Sequence, residues 1–216
     1  YVQFIVFSEQ ELGMAAHLNV IRVRWEYQAF MAGYLSTIIT PDWRMSGLFP
    51  PGETGTRLEE AFLNGGHYYC GICNSILSPV KRFPLSGFIA ADASTEAWQT
   101  AIETLRSNIL YSFYVAPESA NPEMLVYLAQ SGMVLVGGET PPDELRPRWA
   151  ATVKLDFVGA LEQIWAMTLE GEGGNVVDTP VLITDVNEDY FSPGKQRLVE
   201  ETQQELLEGW IEPLDV

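Results

Sequence analysis

Histidine, cysteine and basic side chains are all scarce in this chain, and each shortage excludes something. There are two histidines, His17 and His67, and no GxSxG, HExxH, P-loop or GxGxxG pattern occurs. The usual signatures of serine hydrolases, zinc peptidases and nucleotide-binding enzymes are therefore missing. The acidic pairs Glu59-Glu60 and Glu200-Glu201 fall on predicted helices. There they read as solvated faces rather than acid/base pairs. No catalytic residue, metal or cofactor is assigned, and a binding protein rather than an enzyme is expected. Lys and Arg number 12 against 29 Asp and Glu, a net charge of −17. Such a surface repels a phosphate backbone, so nucleic acid is not an expected partner. No apolar run reaches the roughly 18 to 20 residues of a membrane span, and no basic segment precedes an apolar run as in a signal peptide. The sequence opens at Tyr1 inside the apolar run YVQFIVF. A natural terminus seldom begins in a buried strand, so a signal, an anchor or a longer N-terminal segment is expected ahead of it.

What is present is globular. Hydrophobic residues make up 47% and charged residues 19% of 216 positions, enough for one domain or two small lobes. Short apolar runs alternate with amphipathic stretches. Val2–Phe7 reads as a buried strand, and the alternating Asn19–Trp25 as a half-exposed one. Glu26–Ile39 reads as a helix with Phe30, Tyr34, Leu35 and Ile38 on one face, ended by Pro41. Ala32 and Gly33 allow it to pack closely on a sheet. Arg44–Phe49 is a strand. Thr56 and Glu59 form a capping box for a helix that Gly65-Gly66 should stop. Residues 74–88 look irregular. Ser94 caps the next helix, Ile109–Ala116 is a strand, and Asn121-Pro122 opens a helix closed by Gly132. Met133–Val136, Ala150–Leu155 and Val181–Thr184 are strands. A helix runs from Phe157 to near Gly171, and Ser192-Pro193 starts the last, which reaches Gly209.

This order predicts an α/β fold with a doubly wound, mainly parallel sheet. Ligands bind such sheets at the carboxyl ends of the strands. That rule singles out Pro50–Gly55, Ala116–Asn121, Gly137–Pro142 and the surroundings of Lys154.

These loops and their flanks carry a family resemblance. The stretch FIVFSEQELGMAAHLNVIRVRWEYQAFMAGYLSTII, with Phe30-Met31-Ala32-Gly33 in its helix, resembles part of the basic membrane protein family. RMSGLF with RLEEAFLNGG, then the strand at 109–116, MVLVGGE and ATVKLD, are similar to later family segments in the same order. Members are substrate-binding lipoproteins of ABC importers, among them purine-nucleoside receptors. The resemblance covers roughly residues 2–170. It implies a periplasmic-binding-protein-like fold, with 1–43 as the remainder of an N-terminal lobe and 44–216 as a C-terminal lobe. It also implies an extracytoplasmic location, periplasmic or as a membrane-anchored lipoprotein, a small polar ligand such as a nucleoside, and a transporter permease as partner. Family members begin with further strands and helices that this chain lacks.

Glu139 stands where nucleoside-binding relatives place an Asp on the ribose, and Lys154 where they carry a Lys; solvated loop and edge-strand roles are the alternatives. Tyr114 and Trp149 offer aromatic faces to a planar ligand, with core packing as the alternative. Glu118 replaces a glycine-rich turn of the family. His67, Cys70 and Cys73 cluster in sequence, but a metal site lacks a fourth ligand. A loop-stapling disulfide, free thiols, or redox chemistry at CGIC remain open. Two other functions stay in view: an oligomeric structural or sensory domain that kept the fold without the ligand, and, more weakly, a thiol oxidoreductase.

Overall fold

The computed structural model describes residues 2–13 and 15–215; the expectation about Tyr1 lies outside them. The elements are, in order, β1 (Phe4–Ser8), β2 (Leu18–Arg22), α1 (Trp25–Ile39), β3 (Met45–Phe49), α2 (Glu53–Cys70), β4 (Leu85–Phe88), α3 (Thr95–Arg106), β5 (Ser112–Val115), α4 (Pro122–Gln130), β6 (Val134–Gly137), β7 (Trp149–Leu155), α5 (Phe157–Leu169), β8 (Val176–Asp178), β9 (Val181–Thr184) and α6 (Pro193–Leu207). The chain forms two compact units, Tyr1–Trp25 with Lys154–Leu182, and Glu26–Val153 with Ile183–Val216. The cut expected between residues 43 and 44 falls inside the second unit.

In the first unit a three-stranded sheet has the order β1-β2-β8, both pairings parallel. Burial is the reverse of the expectation. β1 lies at the edge with Phe4 53% and Phe7 45% exposed, whereas the centre of β2 is buried. A continuous apolar run signals burial on both faces only when neighbours cover both, and β2 holds the central place. α5 packs Ala160 and Ile164 onto Ile21 and Val177. Arg22 clasps Asp178 through Nε at 2.5 Å and Nη2 at 2.8 Å, tying β2 to β8.

In the second unit the six-stranded sheet has the order β4-β3-β5-β6-β7-β9. The pairings of β3 with β4, β3 with β5, β5 with β6 and β6 with β7 are parallel. Around β7 and β9, the Asp156 N–H donates to Pro180 O and the Asn187 N–H to Ala150 O. Residue numbers rise on one strand as they fall on the other, so β9 is antiparallel. The sheet winds outward in two directions from β3 and β5, the doubly wound arrangement expected. β4 and β8, both short, escaped sequence reading. Leu48, Phe113, Leu135 and Trp149 meet Trp98, Ile102 and Leu128 of α3 and α4 in one apolar core.

Two helices depart from expectation. α1 is buried continuously from Tyr27 to Ile39, not on one face. A helix apolar nearly all round is a core helix, and Thr37 turns its hydroxyl back to Gly33 O at 2.8 Å to satisfy itself there. α2 begins at Glu53 and runs through Gly65-Gly66 to Cys70. Thr56 is inside it, its N–H bonded to Gly52 O, so the capping box is not used. The glycines serve a crossing instead. A Cβ on Gly33 would lie 2.0 Å from Phe62 O, and one on Gly65 would lie 1.9 Å from Phe30 O. Gly33 therefore packs on a helix backbone rather than on a sheet. The predicted caps Ser94 and Asn121 do accept from Ala97 and Met124, and Gly132 ends α4 with φ +85.

Candidate functional site

The carboxyl ends of β5 and β6 open onto a cleft of about 270 Å³ within the second unit. Its wall includes Pro117, Asn121, Leu125, Glu139, Pro142 and Trp149. β5 is buried at every position and delivers its chain into the turn Pro117–Ser119, which Ser119 ties down through its hydroxyl to Ile89 O at 2.8 Å. Asn121 then caps α4 through Oδ1, 2.8 Å from the Met124 N–H. β6 delivers Gly137-Gly138-Glu139. At Gly137 the indole of Trp149 lies so close that a Cβ would sit 2.1 Å from it. The glycine is what lets this ring form the cleft wall.

A hydroxyl-centred network holds the other side of that ring. Trp149 Nε1 donates to Thr152 Oγ1 at 3.0 Å. The same oxygen lies 2.9 Å from Asp185 Oδ2 and 3.2 Å from Glu139 O. Having one proton, the threonine accepts from the indole and donates to one of these two acceptors. Asp185 has φ 51, a left-handed backbone unusual for a residue other than glycine. Its carboxylate faces Arg146 Nη1 at 3.6 Å, and Arg146 Nε also bonds Asp143 at 3.0 Å. A second recess of about 300 Å³ is lined by Pro141, Arg146, Trp149, Asp185 and Asn187. Trp149 thus borders both hollows.

Of the candidates read from sequence, the structure brings Glu139 and Trp149 together at the cleft. Glu139 is exposed on the rim, and Trp149 is 3% exposed and serves as a core residue with one edge in the wall. Tyr114 is corrected to a core residue. Its ring is 2% exposed and stacks on Phe62 at 5.5 Å and 16°, leaving no face for a ligand. Burial, first, and the neighbouring Glu118 charge push its phenol well above the ordinary range, while a hydrogen bond from Gln28 opposes them. Glu118 is exposed in the turn after β5 and does not line the cleft. Lys154 is half-buried near the carboxyl end of β7 and belongs to the first unit, whereas Glu139 belongs to the second. Sequence reading missed Arg146, Thr152 and Asp185. Asp185 follows β9, which runs antiparallel to the other strands, so the carboxyl-end rule gives no signal for it.

Cys70 and Cys73 are joined as a disulfide, with Cα atoms 5.2 Å apart, at the carboxyl end of α2. A thioredoxin-like cysteine pair needs a helix amino terminus, whose dipole favours the thiolate; here the dipole is reversed. His67, one turn earlier, has its pKa lowered by burial first and by Arg82 second. Among the described residues no three His, Cys, Asp or Glu side chains group to hold a metal ion, and no helix is long and apolar enough to cross a membrane.

No protein-family model matches the chain, and no curated protein matches it. Solved structures do. An ABC transporter solute-binding protein from Conexibacter woesei superposes with a TM-score of 0.69 at 16% identity, covering 98% of this chain and 71% of that one. One from Aeropyrum pernix gives 0.67 at 13%, covering 97% and 70%. A transcriptional activator of the comK gene from Bacillus halodurans gives 0.68 at 12%, covering 98% and 72%. At these identities the likeness concerns the backbone alone: the chain has the mainly parallel α/β fold of the periplasmic binding proteins.

Proposed function

We propose that this chain is a non-catalytic, extracytoplasmic solute-binding protein of an ABC-type uptake system, taking a small polar ligand at the strand ends and handing it to a transporter permease. The observation that carries this reading is the 270 Å³ cleft at the carboxyl ends of β5 and β6, with the Glu139 carboxylate on its rim and Trp149 in its wall. A doubly wound sheet offers its ligand site at that end. The wall is apolar with few polar groups, as small-molecule sites are. The solute-binding proteins that share the fold support the transport class. A nucleoside is the ligand that the basic membrane protein resemblance favours: a carboxylate accepts two ribose hydroxyls, and an indole edge suits a base.

Calorimetric titration with nucleosides, pentoses and hexoses tests this. Heat is expected with a nucleoside, and Glu139→Gln is expected to weaken binding about tenfold or more, the usual weight of hydrogen bonds to a charged group. Heat with a sugar alone would overturn the nucleoside but keep the transport class. Silence across the panel counts against both.

One observation favours the second reading, a self-associating sensory or structural domain. In the first unit α5 exposes Val158, Leu161, Trp165 and Leu169 along one stripe, beside an edge strand bearing Phe4 and Phe7. Edge strands and apolar stripes of this kind invite pairing. On this reading, light scattering gives a mass that rises with concentration and that Trp165→Glu returns to the monomer; a constant monomer mass rules it out.

A further inference from the structure

At the amino-terminal end of the six-stranded sheet, the segment between α2 and β4 exposes aliphatic side chains that its own framework does not need. Ile76 is 84%, Val80 69%, Leu77 65% and Ile72 65% exposed. Ile109 and Tyr111, which flank the Asn108–Arg44 contacts, are exposed as well. Exposure this high at successive positions describes a convex tip, not a groove.

The tip is held firmly. Arg44, 7% exposed at its side chain, donates through Nη2 to Leu77 O at 2.5 Å and through Nη1 to Asn108 O at 2.9 Å. Asp42 accepts from the Ile76 and Leu77 N–H groups at 2.5 and 3.2 Å. Ser75 and Lys81 pair backbones at 2.9 Å, and the Cys70–Cys73 disulfide closes the base. A loop that is only a connection has no call for such bracing. A contact loop gains from it, because the ordering entropy is lost before contact is made.

Charge around the tip is the opposite of the rest of the chain. No Asp or Glu occurs from Ala61 to Ala91, though the sequence has 29 of them. Lys81 and Arg82 follow Val80 directly, and among the described residues neither has an ion-pair partner; Lys81 bonds the Asn108 amide oxygen. Asp42, the acid that braces the loop, is matched by Arg44. Salt attenuates charges more than about 8 Å away, so at close approach Lys81 and Arg82 weigh more than their share of the net −17.

We propose that this tip docks on an anionic lipid surface, with Ile72, Ile76, Leu77 and Val80 entering the headgroup and upper acyl region and Lys81 and Arg82 on the phosphates. Aliphatic tips beside basic residues are what interfacial binding uses. Protein hot spots favour Trp, Tyr and Arg and under-represent Leu and Val, and the exposed apolar side chains from Ile72 to Val80 are all aliphatic. A two-fold contact with a second copy sets Lys81 and Arg82 against their own counterparts. The inference does not depend on the ligand cleft.

Co-sedimentation with phosphatidylglycerol–phosphatidylcholine vesicles is the test, with phosphatidylcholine vesicles for comparison. The chain is expected to sediment with the anionic vesicles and to be released by high salt. Ile76→Ser with Leu77→Ser is expected to lower partitioning about tenfold or more, since several buried CH₂ groups are lost. Arg82→Gln is expected to lower it about fivefold. Both variants keep the backbone bonds of the loop, and unchanged melting curves confirm their fold. Absence of sedimentation with anionic vesicles, equal sedimentation with phosphatidylcholine alone, or full retention by the double variant overturns the proposal. So does a concentration-dependent dimer, without vesicle binding, that the same double variant abolishes.

Discussion

Adding one methyl group at Gly33 or at Gly65 is expected to destabilise the second unit by about 3 kcal/mol, the upper part of the usual range for overpacking. The built Cβ positions lie 2.0 Å from Phe62 O and 1.9 Å from Phe30 O, both backbone atoms that no side-chain rotation can remove. α1 and α2 must separate to accommodate them. Since α1 is buried along nearly its whole length, that separation opens the core on several sides. Alanine gains about 1 kcal/mol of helix propensity over glycine, which offsets part of the loss but not its sign. Against a total stability of about 5–15 kcal/mol for a domain, the effect is large. Urea denaturation of Gly33→Ala and Gly65→Ala measures it. The double variant is expected to lose less than the two single losses together, because helices already parted leave room for the second methyl. Additive losses would show that the two contacts are independent.

Replacing Arg44 by Met is expected to cost roughly 3 kcal/mol, the scale for breaking a buried pair and stranding its acceptors. The guanidinium serves Asp42, Leu77 O, Asn108 O and, at 3.4 Å, Pro79 O, and it lies 5.7 Å from the centre of the Phe83 ring. Methionine keeps most of the stem's volume, so the loss reports the lost donors. A fall in melting temperature of about 6 °C or more follows for a chain of this size. The loop also carries a pH dependence. The Ile76 N–H, first, then the Leu77 N–H and the Arg44 guanidinium hold the Asp42 carboxyl below the ordinary range, against some burial. A carboxyl lowered on folding adds stability above its unfolded pKa and loses it as pH falls through the folded one. Protection of the Ile76 and Leu77 amides, taken relative to intrinsic exchange at each pH, should therefore fall in acid, below the ordinary carboxylate range. Asp42→Asn should remove that pH dependence; if it does not, another group controls the loop.

Much of the architecture was legible in the residues. Caps at Ser94 and Asn121 and the stop at Gly132 are local chemistry, and they stand where read. The strand-end rule singled out four loops, and Gly137–Pro142 among them lines the cleft. The failures share one cause. Gly65-Gly66 read as a stop because an isolated helix is weakened there, yet α2 continues because a neighbouring helix needs the space. The sequences FMAG and FLNG, ending in Gly33 and Gly65, are two halves of one crossing that no local rule pairs. Tyr114 is identical in sequence whether it faces a ligand or Phe62; only the position of α2 decides.

Composition and pattern by themselves determined an acidic α/β chain, parallel strands joined by helices, and the carboxyl-end loop Gly137–Pro142 that lines the cleft. Tertiary structure decided the rest. It set which apolar run lies at an edge, as β1 does, and which aromatic wall remains, Trp149 rather than Tyr114. It also gathered Arg146, Thr152 and Asp185 around that wall, and left the braced Ile76–Val80 tip uncovered. The physical reason is range. Propensity, capping and alternation act over a few residues, whereas burial and hydrogen-bond partners are properties of what folds alongside.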